Sequence, residues 1–447
     1  MGEEGNLFDI PDELEKKLER AISILDEYDK FRLITHYDAD GISASAVLAR
    51  TVMKYQKGFH TTFIDSFPEK IPSGYPIIFT DIGNSHLERI SELEEDVIVL
   101  DHHEVRNDPN SPGGGNKVFI NPHDHGWDGS QEVSGGTLAL LLAVSYDSNN
   151  WEEAVYGLAG AAADKQAIGG FTGLNLKLME RSVEEDYLEK RTGLFIDGEN
   201  VSTALMKACD PYFPGISGEK SEIKKILEDL NIDLGAKLES INVEKKRKLN
   251  SLLALSLLKR DIPPDVIEAI YGTHLVSAHD DLEIDILYKI LNSCARNDRP
   301  GLGLSVCLGD EKAYEEAKEI RDGHRKRMIE KLKTLEERIE KRKNIQHFYE
   351  EKKTMKGELA GLGMLYVLDQ NMPVLGLTEG DEKIDISARA TKNMVEKGLD
   401  MGGLCERLAG EFNGDGGGHD IAAGAKIEKD NIDDFLKMMD EEVGKIL

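Results

Sequence analysis

The sequence predicts an α/β protein in which a parallel-sheet domain is joined by a long helix to a smaller C-terminal α/β domain. In the first third of the chain, short and almost continuously apolar strands alternate with helical patterns. That alternation is typical of a parallel sheet covered by helices on both faces. Further along, Asp310–Lys353 is one long, highly charged helical pattern, and strand patterns begin again after it. This helix is therefore a natural connector between two domains.

The N-terminal sheet is predicted from strands that end just before polar motifs. Phe31–Thr35 is the first strand, and Gly41–Ala49 has the pattern of the helix after it. In sheets of this kind, ligands bind beyond the carboxyl ends of the strands. The further strands are Thr61–Ile64, Pro76–Thr80, Asp96–Leu100 and Lys117–Ile120, and the further helices are 12–30, His86–Leu93, Gly136–Ser145 and Glu152–Lys165.

The remainder of the chain is predicted to contain a helical segment and then a second, smaller sheet. Residues 175–290 have mostly helical patterns. After the connector we expect strands at Leu362–Leu368, Pro373–Leu377 and Ile384–Ala390, then a glycine loop at Gly416–Gly418 and a terminal helix. The predicted domains are a catalytic core at 1–175, a mainly helical extension of it at 176–309, a connector helix at 310–355 and a substrate-binding domain at 356–447.

Composition restricts the class of protein. Hydrophobic residues make up 40% of the chain, which suits a globular protein with its own cores. No apolar run reaches the length of a membrane-spanning helix, and the acidic start Met1-Gly-Glu-Glu is unlike a signal peptide. The four cysteines are far apart and form no CxxC pair, as in a reduced cytosolic protein. We therefore expect a cytoplasmic protein that does not bind membranes.

The net charge of −29 bears on possible nucleic-acid binding. An acidic surface repels a polyanion, although bound metal ions or basic patches reverse the sign locally. One such patch is the basic stretch from Arg325 to Lys343, which could follow a nucleic-acid backbone. Glutamates are interleaved with these basic residues, so a solvated helix with internal ion pairs is the favoured interpretation. Charge alone argues mildly against a nucleic-acid partner.

Four short motifs carry carboxylates and imidazoles at or just beyond the ends of apolar runs. Such groups are costly to gather in an apolar setting unless they are paired or bind metal. Together they indicate a site for two divalent cations, the usual apparatus of phosphoester hydrolysis. The motifs are His36-Tyr-Asp38-Ala-Asp40-Gly41, Asp81-Ile-Gly83, Asp101-His102-His103 and Ala163-Asp164-Lys165.

The candidate metal ligands come from these motifs. A single aspartate at a strand end is more often a helix cap or turn residue, but four motifs in register with strand ends favour metal binding. A histidine nitrogen shifts the preference from Mg²⁺ toward Mn²⁺ or a similar ion. His123 and His125 are expected to be polar surface residues. The candidates are Asp38, Asp40, Asp81, His102 and Asp164, and also His36, which either ligates or only lines the site.

Taken together, these motifs resemble those of the DHH phosphoesterase superfamily. Gly416-Gly-Gly-His419-Asp420, with Ile386-Ser-Ala-Arg389, is similar to the DHH-associated domain of that superfamily. Motif order and chain length most resemble the RecJ-type exonucleases, in particular the archaeal RecJ-like nucleases. Two further segments, Asp210–Ser217 and Asn292–Arg296, are similar to parts of that archaeal group.

The resemblance implies a role for each motif residue. One Mn²⁺ would be held by Asp38 and Asp81, and the other by Asp40, Asp81, His102 and Asp164, with Mg²⁺ as an alternative ion. His103 would face the scissile phosphate, and Asp101 would orient the histidines. The predicted phosphate-binding residues of the C-terminal domain are Arg389, Gly416, Gly417, Gly418 and His419.

The leading functional hypothesis is a Mn²⁺-dependent exonuclease that acts on single-stranded DNA or RNA in DNA repair or replication. One alternative is a nanoRNase or small-nucleotide phosphatase of the same superfamily. Another is a structural component of the replication fork, with a GINS-type replication protein as its partner. The sequence leaves open the direction of digestion, the preference for DNA or RNA, and the oligomeric state.

Overall fold

The computed structural model describes residues 10–104, 116–260, 262, 264–280 and 282–447. The chain forms two compact units. Unit 1 consists of Met1–Gly193 and Gly272–Arg321, and unit 2 consists of Leu194–Tyr271 and Asp322–Leu447. These units are defined by packing alone, so the four functional segments expected from the sequence stay a prediction.

The described residues form thirteen strands and seventeen α-helices. The strands are β1 Lys30–His36, β2 Gly58–Ile64, β3 Ile77–Thr80, β4 Val97–Leu100, β5 Lys117–Ile120, β6 Leu188–Thr192, β7 Thr273–Ser277, β8 Glu340–Lys341, β9 Gln346–Tyr349, β10 Val374–Glu379, β11 Lys383–Arg389, β12 Asp415–Gly418 and β13 Ala422–Glu428. The α-helices are α1 Asp12–Glu27, α2 Ala39–Lys54, α3 Leu87–Ser91, α4 Gly135–Tyr146, α5 Ala154–Ala163, α6 Gly173–Glu184, α7 Val201–Met206, α8 Lys220–Asp229, α9 Val243–Leu258, α10 Pro264–Tyr271, α11 Ile284–Arg296, α12 Pro300–Cys307, α13 Glu311–Arg338, α14 Lys353–Tyr366, α15 Lys392–Glu396, α16 Met401–Glu411 and α17 Ile432–Ile446.

Unit 1 is built on a parallel sheet of five strands in the order β2-β1-β3-β4-β5. The predicted strands of this sheet are all present, with small shifts at their ends. Thr35 pairs with Thr80, and Thr80 pairs with Leu100, so the central strands end level with one another. The parallel α/β fold predicted for this part of the chain is confirmed.

Both faces of the central strands β3 and β4 are buried, which explains why these strands are almost continuously apolar. Leu33 and Ile78 point into a core that they share with α1, α2, α4 and α5. Ile34 and Phe79 point to the opposite face, where a smaller core includes Ile90 of α3. The central strands are thereby fixed between two apolar layers, and the polar motifs follow their carboxyl ends.

Unit 2 contains a mixed sheet of six strands in the order β12-β13-β11-β10-β9-β8. Strands β9 and β10 are parallel, and the other neighbours are antiparallel. One apolar core joins this sheet to α15, α16 and α17. A second core includes Phe348 and Val374 together with residues of α7 to α10, α13 and α14. This smaller α/β arrangement agrees with the fold class predicted for the C-terminal part.

The predicted glycine loop at Gly416–Gly418 is wrong, because these residues form the edge strand β12. Gly416 pairs with Ala425, and Gly418 pairs with Ala423. A Cβ atom at Gly416 would collide with the carbonyl oxygen of Cys405 in α16. The glycines are therefore needed for close packing of a strand against a helix, whereas glycine-rich sequence is more commonly a turn signal.

The predicted strand at Leu362–Leu368 is also wrong, because most of it lies in α14. The buried residues Leu359, Leu362, Gly363 and Tyr366 recur at helical spacing. A short apolar run cannot be assigned to a strand or a buried helix from its apolar character alone.

The predicted single helix over Asp310–Lys353 is too long. Helix α13 ends at Arg338, and β8 and β9 follow before α14 begins. Ile345 is fully buried, and the amide N–H of Asn344 donates to Oδ1 of Asp440. Charged residues continue the polar pattern beyond the end of the helix, so the composition of the sequence does not indicate where α13 ends.

The basic stretch from Arg325 to Lys343 is largely paired within unit 2. Lys331 and Arg338 lie near Glu350, and Lys333 lies 2.7 Å from Glu219. These basic side chains are paired, as expected, but the acidic partners named here lie outside α13 and are not its interleaved glutamates.

The segment 175–290 is mostly helical as predicted, although β6 and β7 form an antiparallel pair within it. Among the residues that the structure describes, no helix is both long enough and apolar enough to cross a membrane.

Candidate metal centre and phosphate-binding residues

The ends of β1, β3 and β4 place the acidic motifs next to one another. Asp38 and Asp40 lie at the start of α2, Asp81 follows β3, and Asp101 follows β4. Since parallel strands end at one edge of the sheet, these side chains share that edge. Asp164 reaches the same place from the C-terminal end of α5. We call this cluster the acidic edge. Its members are His36, Asp38, Asp40, Asp81, Asp101, His102, His103 and Asp164.

Ligand atoms of the acidic edge form three overlapping groups in the described part of the chain, each with all its atoms within 4.8 Å of one another. Asp81 and His102 each belong to two groups and so connect them. The sequence-predicted ligands, including His36, are thus all brought together. The groups are His36 with Asp38 and Asp81, Asp40 with His102 and Asp164, and Asp81 with His102 and His103.

Asp81 lies where two of the groups meet. It is 3% exposed and has a left-handed backbone with φ of 57°, which aspartate tolerates better than most residues. Its Oδ1 lies 3.1 Å from Nε2 of His102, and its Oδ2 lies 3.5 Å from Nδ1 of His36. Oδ2 is buried and has no hydrogen-bond partner of good geometry among the described residues. A buried carboxylate oxygen without a donor fits a cation ligand, because burial without a partner is otherwise costly.

Asp40 is held by backbone amides at the N-terminus of α4. The N–H of Gly135 donates to its Oδ2 at 2.6 Å, and the N–H of Gly136 donates to its Oδ1 at 2.9 Å. A Cβ atom at Gly160 of α5 would collide with the same carboxylate. The helix N-terminus thus stabilises a carboxylate that is 1% exposed. Sequence analysis missed these glycines, because nothing near them in sequence indicates contact with residue 40.

His102 presents one defined ring nitrogen to the carboxylates. Its Nδ1 lies 2.6 Å from the carbonyl oxygen of Gly129. A carbonyl oxygen only accepts hydrogen bonds, so Nδ1 carries a proton and Nε2 faces the acidic edge. Nε2 lies 3.7 Å from Asp40, 3.1 Å from Asp81 and 3.5 Å from Asp164. This arrangement suits Nε2 as a metal ligand.

His103 is oriented from behind by Asp101. Nδ1 of His103 lies 2.8 Å from Oδ1 of Asp101, and its side chain is 44% exposed. Oδ2 of Asp101 accepts a hydrogen bond from the backbone N–H of Asn84. The side chain of Asn84 donates to the backbone carbonyls of Asp101 and His103. Asn121 donates a further hydrogen bond to the carbonyl of His103. Asp101 lies outside the three ligand groups, as expected of an orienting residue, and Asn84 and Asn121 were missed by sequence analysis.

The carboxylates of the acidic edge differ in their proton affinity. Burial and the charge of Asp81 raise the pKa of Asp40 to about 7. Burial and the charge of Asp40 raise the pKa of Asp164 well above its usual value. Burial also tends to raise the pKa of Asp81, but His102 and His36 outweigh it and hold that pKa below its usual range.

For the histidines, burial and the neighbouring carboxylates act on the pKa in opposite directions. Burial tends to lower the pKa of His36, but Asp38 and Asp81 outweigh it and raise that pKa to about 12. Burial likewise opposes the charged form of His102, whose pKa is nevertheless raised by Asp81 and Asp164. The acidic edge therefore favours positive charge in its interior, and divalent cations would satisfy this preference.

The predicted phosphate-binding residues all lie in unit 2. Arg389 ends β11 and pairs with Ala422 of β13, the strand that also pairs with the glycine strand β12. One Nη–H of Arg389 donates to the carbonyl of Ala388. A Cβ atom at Gly357 of α14 would lie 3.2 Å from the other Nη. The guanidinium is thus placed against a helix that leaves it room.

The glycine strand leads directly to His419. Gly418 has a φ of 135°, and a Cβ atom there would lie 2.7 Å from the carbonyl oxygen of Ala422. The N–H of His419 donates to that same carbonyl, while its side chain is exposed. Because β12 is an edge strand, the amides that point away from β13 take no part in the sheet.

Comparison with known families identifies the class of protein. The N-terminal domain of the DHH family matches residues 30–164, and the DHHA1 domain matches residues 344–445. The first match contains the acidic edge, and the second contains Arg389 and the glycine strand. This chain therefore contains a DHH family N-terminal domain and a DHHA1 domain, as the resemblance of its motifs indicates.

Individual proteins similar to this chain include an archaeal relative and solved structures of RecJ. An uncharacterized protein of Methanocaldococcus jannaschii is 29% identical over 446 residues, which covers 97% of this chain and 98% of the relative. RecJ of Thermus thermophilus in complex with Mn²⁺ is 15% identical, with a TM-score of 0.58 over 97% of this chain. This chain spans only 55% of that protein's length.

Two other solved structures are similar along their whole length. An exonuclease RecJ bound to manganese is 15% identical, with a TM-score of 0.56 over 99% of this chain and 97% of that one. CDC45 from Entamoeba histolytica is 10% identical, with a TM-score of 0.60 over 97% of this chain and 99% of that one. At these identities the similarity shows a common fold alone.

Proposed function

We propose that this protein is a Mn²⁺-dependent phosphodiesterase that hydrolyses single-stranded DNA or RNA from an end, as a RecJ-like exonuclease. The observation that carries this proposal is the set of three overlapping ligand groups joined by Asp81 and His102. Solved RecJ structures of the same fold contain Mn²⁺ or Mg²⁺. This supports Mn²⁺, with Mg²⁺ as the alternative.

The ligand groups suggest how two cations would be held. His36, Asp38 and Asp81 would hold one ion, and Asp40, His102 and Asp164 would hold the other. Asp81 would also contribute to the second ion, as the motif resemblance implies. Two such ions, when bound, would lower the pKa of water and neutralise charge on the phosphate oxygens.

The chain's own residues would orient the substrate. The exposed ring of His103, fixed by Asp101, would contact the scissile phosphate or the leaving oxygen. Arg389 would bind substrate phosphate through its planar fork, together with His419 and the outer amides of Gly416–Gly418.

The direct test uses purified protein with Mn²⁺ and strands labelled separately at the 5′ or the 3′ end. Single strands and duplexes of DNA and RNA are compared at equal concentration. The proposal expects progressive shortening of single strands from one end, which stops on addition of a chelator. Complete inactivity on every strand with Mn²⁺ and with Mg²⁺, in protein shown to bind these ions, would refute it.

A nanoRNase or small-nucleotide phosphatase would use the same acidic edge, so the alternative is separated by substrate length. An exonuclease shortens strands of tens of nucleotides to small products, whereas a nanoRNase hydrolyses only the shortest oligonucleotides. Hydrolysis of dinucleotides with no action on longer strands would replace the first proposal by this one.

The alternative expected from the sequence, a role at the replication fork, is a second candidate, since CDC45 shares the fold of this chain. In this role the protein would bind a GINS-type replication protein, with or without nuclease activity. Affinity capture of the tagged protein from native extract, followed by mass spectrometry, tests it. Absence of replication proteins among the captured partners would argue against this role and leave the nuclease proposal intact.

A further inference from the structure

A chain of buried hydrogen bonds lies behind His102, on the side away from the carboxylates. The carbonyl oxygen of Gly129 accepts from Nδ1 of His102 at 2.6 Å and from Nε2 of Gln166 at 3.0 Å. The same Nε2 donates to the carbonyl of Val133 at 3.1 Å, and Oε1 of Gln166 accepts from Nδ2 of Asn175 at 2.6 Å. His102, Gln166 and Asn175 are each no more than 4% exposed.

The partners of Gln166 determine which way its amide points. Nε2 faces two carbonyl oxygens, which only accept, and Oε1 faces an amide nitrogen, which donates. The orientation of the whole chain is therefore defined, and the shared carbonyl of Gly129 is held as an acceptor. An acceptor in that place requires a proton on Nδ1 of His102, which leaves Nε2 for the acidic edge.

Gly129 can serve this role only as glycine. A Cβ atom there would collide with the carbonyl oxygen of His102 and lie 2.9 Å from Nε2 of His123. Its carbonyl therefore approaches the imidazole through a backbone contact that any side chain at this position would prevent.

Gln166 and Asp164 reach His102 from the same turn. After α5, Lys165 has a left-handed φ of 66°, and the N–H of Gln166 donates to the carbonyl of Ala161. Asp164 lies 3.5 Å from Nε2, and Gln166 acts on Nδ1 through the shared carbonyl. One turn thus places Asp164 beside Nε2 of the imidazole and, through Gln166, supports the carbonyl that contacts Nδ1.

We propose that Gln166 is a positioning residue of the metal centre. By holding the carbonyl of Gly129 in place, it sets the tautomer and orientation in which His102 presents Nε2 to a cation. The inference rests on the metal centre of the proposed function, but it does not depend on the substrate or the reaction.

The experiment measures metal binding by the full chain, without substrate. Gln166→Met keeps a similar volume but removes both donors. Co²⁺ is titrated into the metal-free protein and followed by visible absorption, and Mn²⁺ is titrated by calorimetry. Loss of such a supporting contact weakens metal binding about 10–100-fold, and we expect a change in the Co²⁺ absorption bands at saturation. Gln131→Met, at an exposed glutamine of the same unit, is the matched control and should bind as the wild type does.

A folded Gln166→Met variant with wild-type affinity and wild-type Co²⁺ bands would overturn the inference. If Gln166→Met does not fold, Asn175→Leu decides, since it removes the donor that orients Gln166. We expect weaker binding in the same direction, and unchanged Co²⁺ binding would overturn the inference.

The two proposals fail separately. Normal metal binding without hydrolysis of any nucleic acid would refute the nuclease function alone. Hydrolysis by a Gln166→Met variant with unchanged metal binding would refute the positioning role alone.

Discussion

The acidic edge of unit 1 and the Arg389–His419 region of unit 2 are built in opposite ways. In unit 1 the carboxylates of Asp40 and Asp81 are at most 3% exposed and are contacted by backbone amides or imidazoles. In unit 2 the side chain of His419 is exposed, and Arg389 is half-buried at the end of the interior strand β11. Changes at the acidic edge should therefore alter metal binding and proton uptake, whereas changes in unit 2 should alter substrate binding alone.

The largest effect should come from Asp81→Asn. Asparagine tolerates the left-handed backbone at this position, so the fold should persist. Loss of a charge shared by two ligand groups should lower hydrolysis by about a hundredfold or more, with a loss of bound Mn²⁺. Turnover and metal content by mass spectrometry are the measurements. Asp29→Asn, just before the opposite end of β1, is the control. Near-normal activity of Asp81→Asn would disprove that Asp81 serves both ligand groups.

The next effect separates two aspartates within the acidic edge. Asp40→Ala and Asp164→Ala should both weaken Mn²⁺ binding. Only Asp40→Ala leaves the buried amides of Gly135 and Gly136 without an acceptor, which costs about 1–3 kcal/mol for each unsatisfied group. Urea unfolding in the presence of a chelator should show this difference. Equal stability of the two variants would mean that the amide contacts of Asp40 contribute little.

Metal binding should depend on pH in the direction set by Asp40. Its pKa of about 7 means that the carboxyl is mostly protonated at pH 6 and mostly ionised at pH 8. A cation binds the ionised form, so Mn²⁺ affinity should rise over this range, by up to about tenfold per pH unit for each proton released. Calorimetry in buffers of different ionisation enthalpy counts these protons. Affinity that does not change with pH would contradict the raised pKa.

A smaller effect is expected from Arg389, and it should concern substrate alone. Arg389→Ala should weaken binding of a labelled single strand about tenfold, with Ca²⁺ replacing the catalytic ion, and Arg389→Lys should weaken it less. Metal content should not change in either variant. Arg407→Ala, which removes a surface ion pair with Glu442 in the same unit, is the control. Unchanged strand binding by Arg389→Ala would remove this residue from the substrate site.

The smallest effect contrasts two helical glycines. A Cβ atom at Gly361 of α14 would meet only open space, so Gly361→Ala should stabilise the protein by about 0.5–1 kcal/mol. Gly160 of α5 faces the carboxylate of Asp40, so Gly160→Ala should weaken metal binding. Thermal unfolding and Mn²⁺ titration of both variants test the contrast. If Gly160→Ala stabilises the protein and binds metal normally, the residues around Asp40 can shift to accommodate the added Cβ atom.

The placement of the acidic edge could be predicted from the sequence because it depends on local patterns. Apolar strands of parallel type must end at one edge, and His36, Asp81 and Asp101 stand at those ends. The arrangement of ligand atoms then follows from the register of the sheet, which the hydrophobic strands determine.

What could not be predicted depends on contacts between distant segments. Gly135 and Gly136 bind a carboxylate about a hundred residues earlier in the chain, and no local pattern indicates this. For a similar reason the sequence does not show that most of Leu362–Leu368 is helical. Only packing against the rest of unit 2 distinguishes a buried helix from a buried strand in so short an apolar run.

The amide contacts of Asp40 have a consequence for how the proposed metal centre would be loaded in the cell. Because α4 already stabilises this carboxylate, the chain should complete folding before any cation arrives. The ion that enters would then be chosen by its supply at the moment of loading, since N and O ligands of this kind bind several divalent metals. Refolding in chelator followed by addition of competing metals would show this order of events.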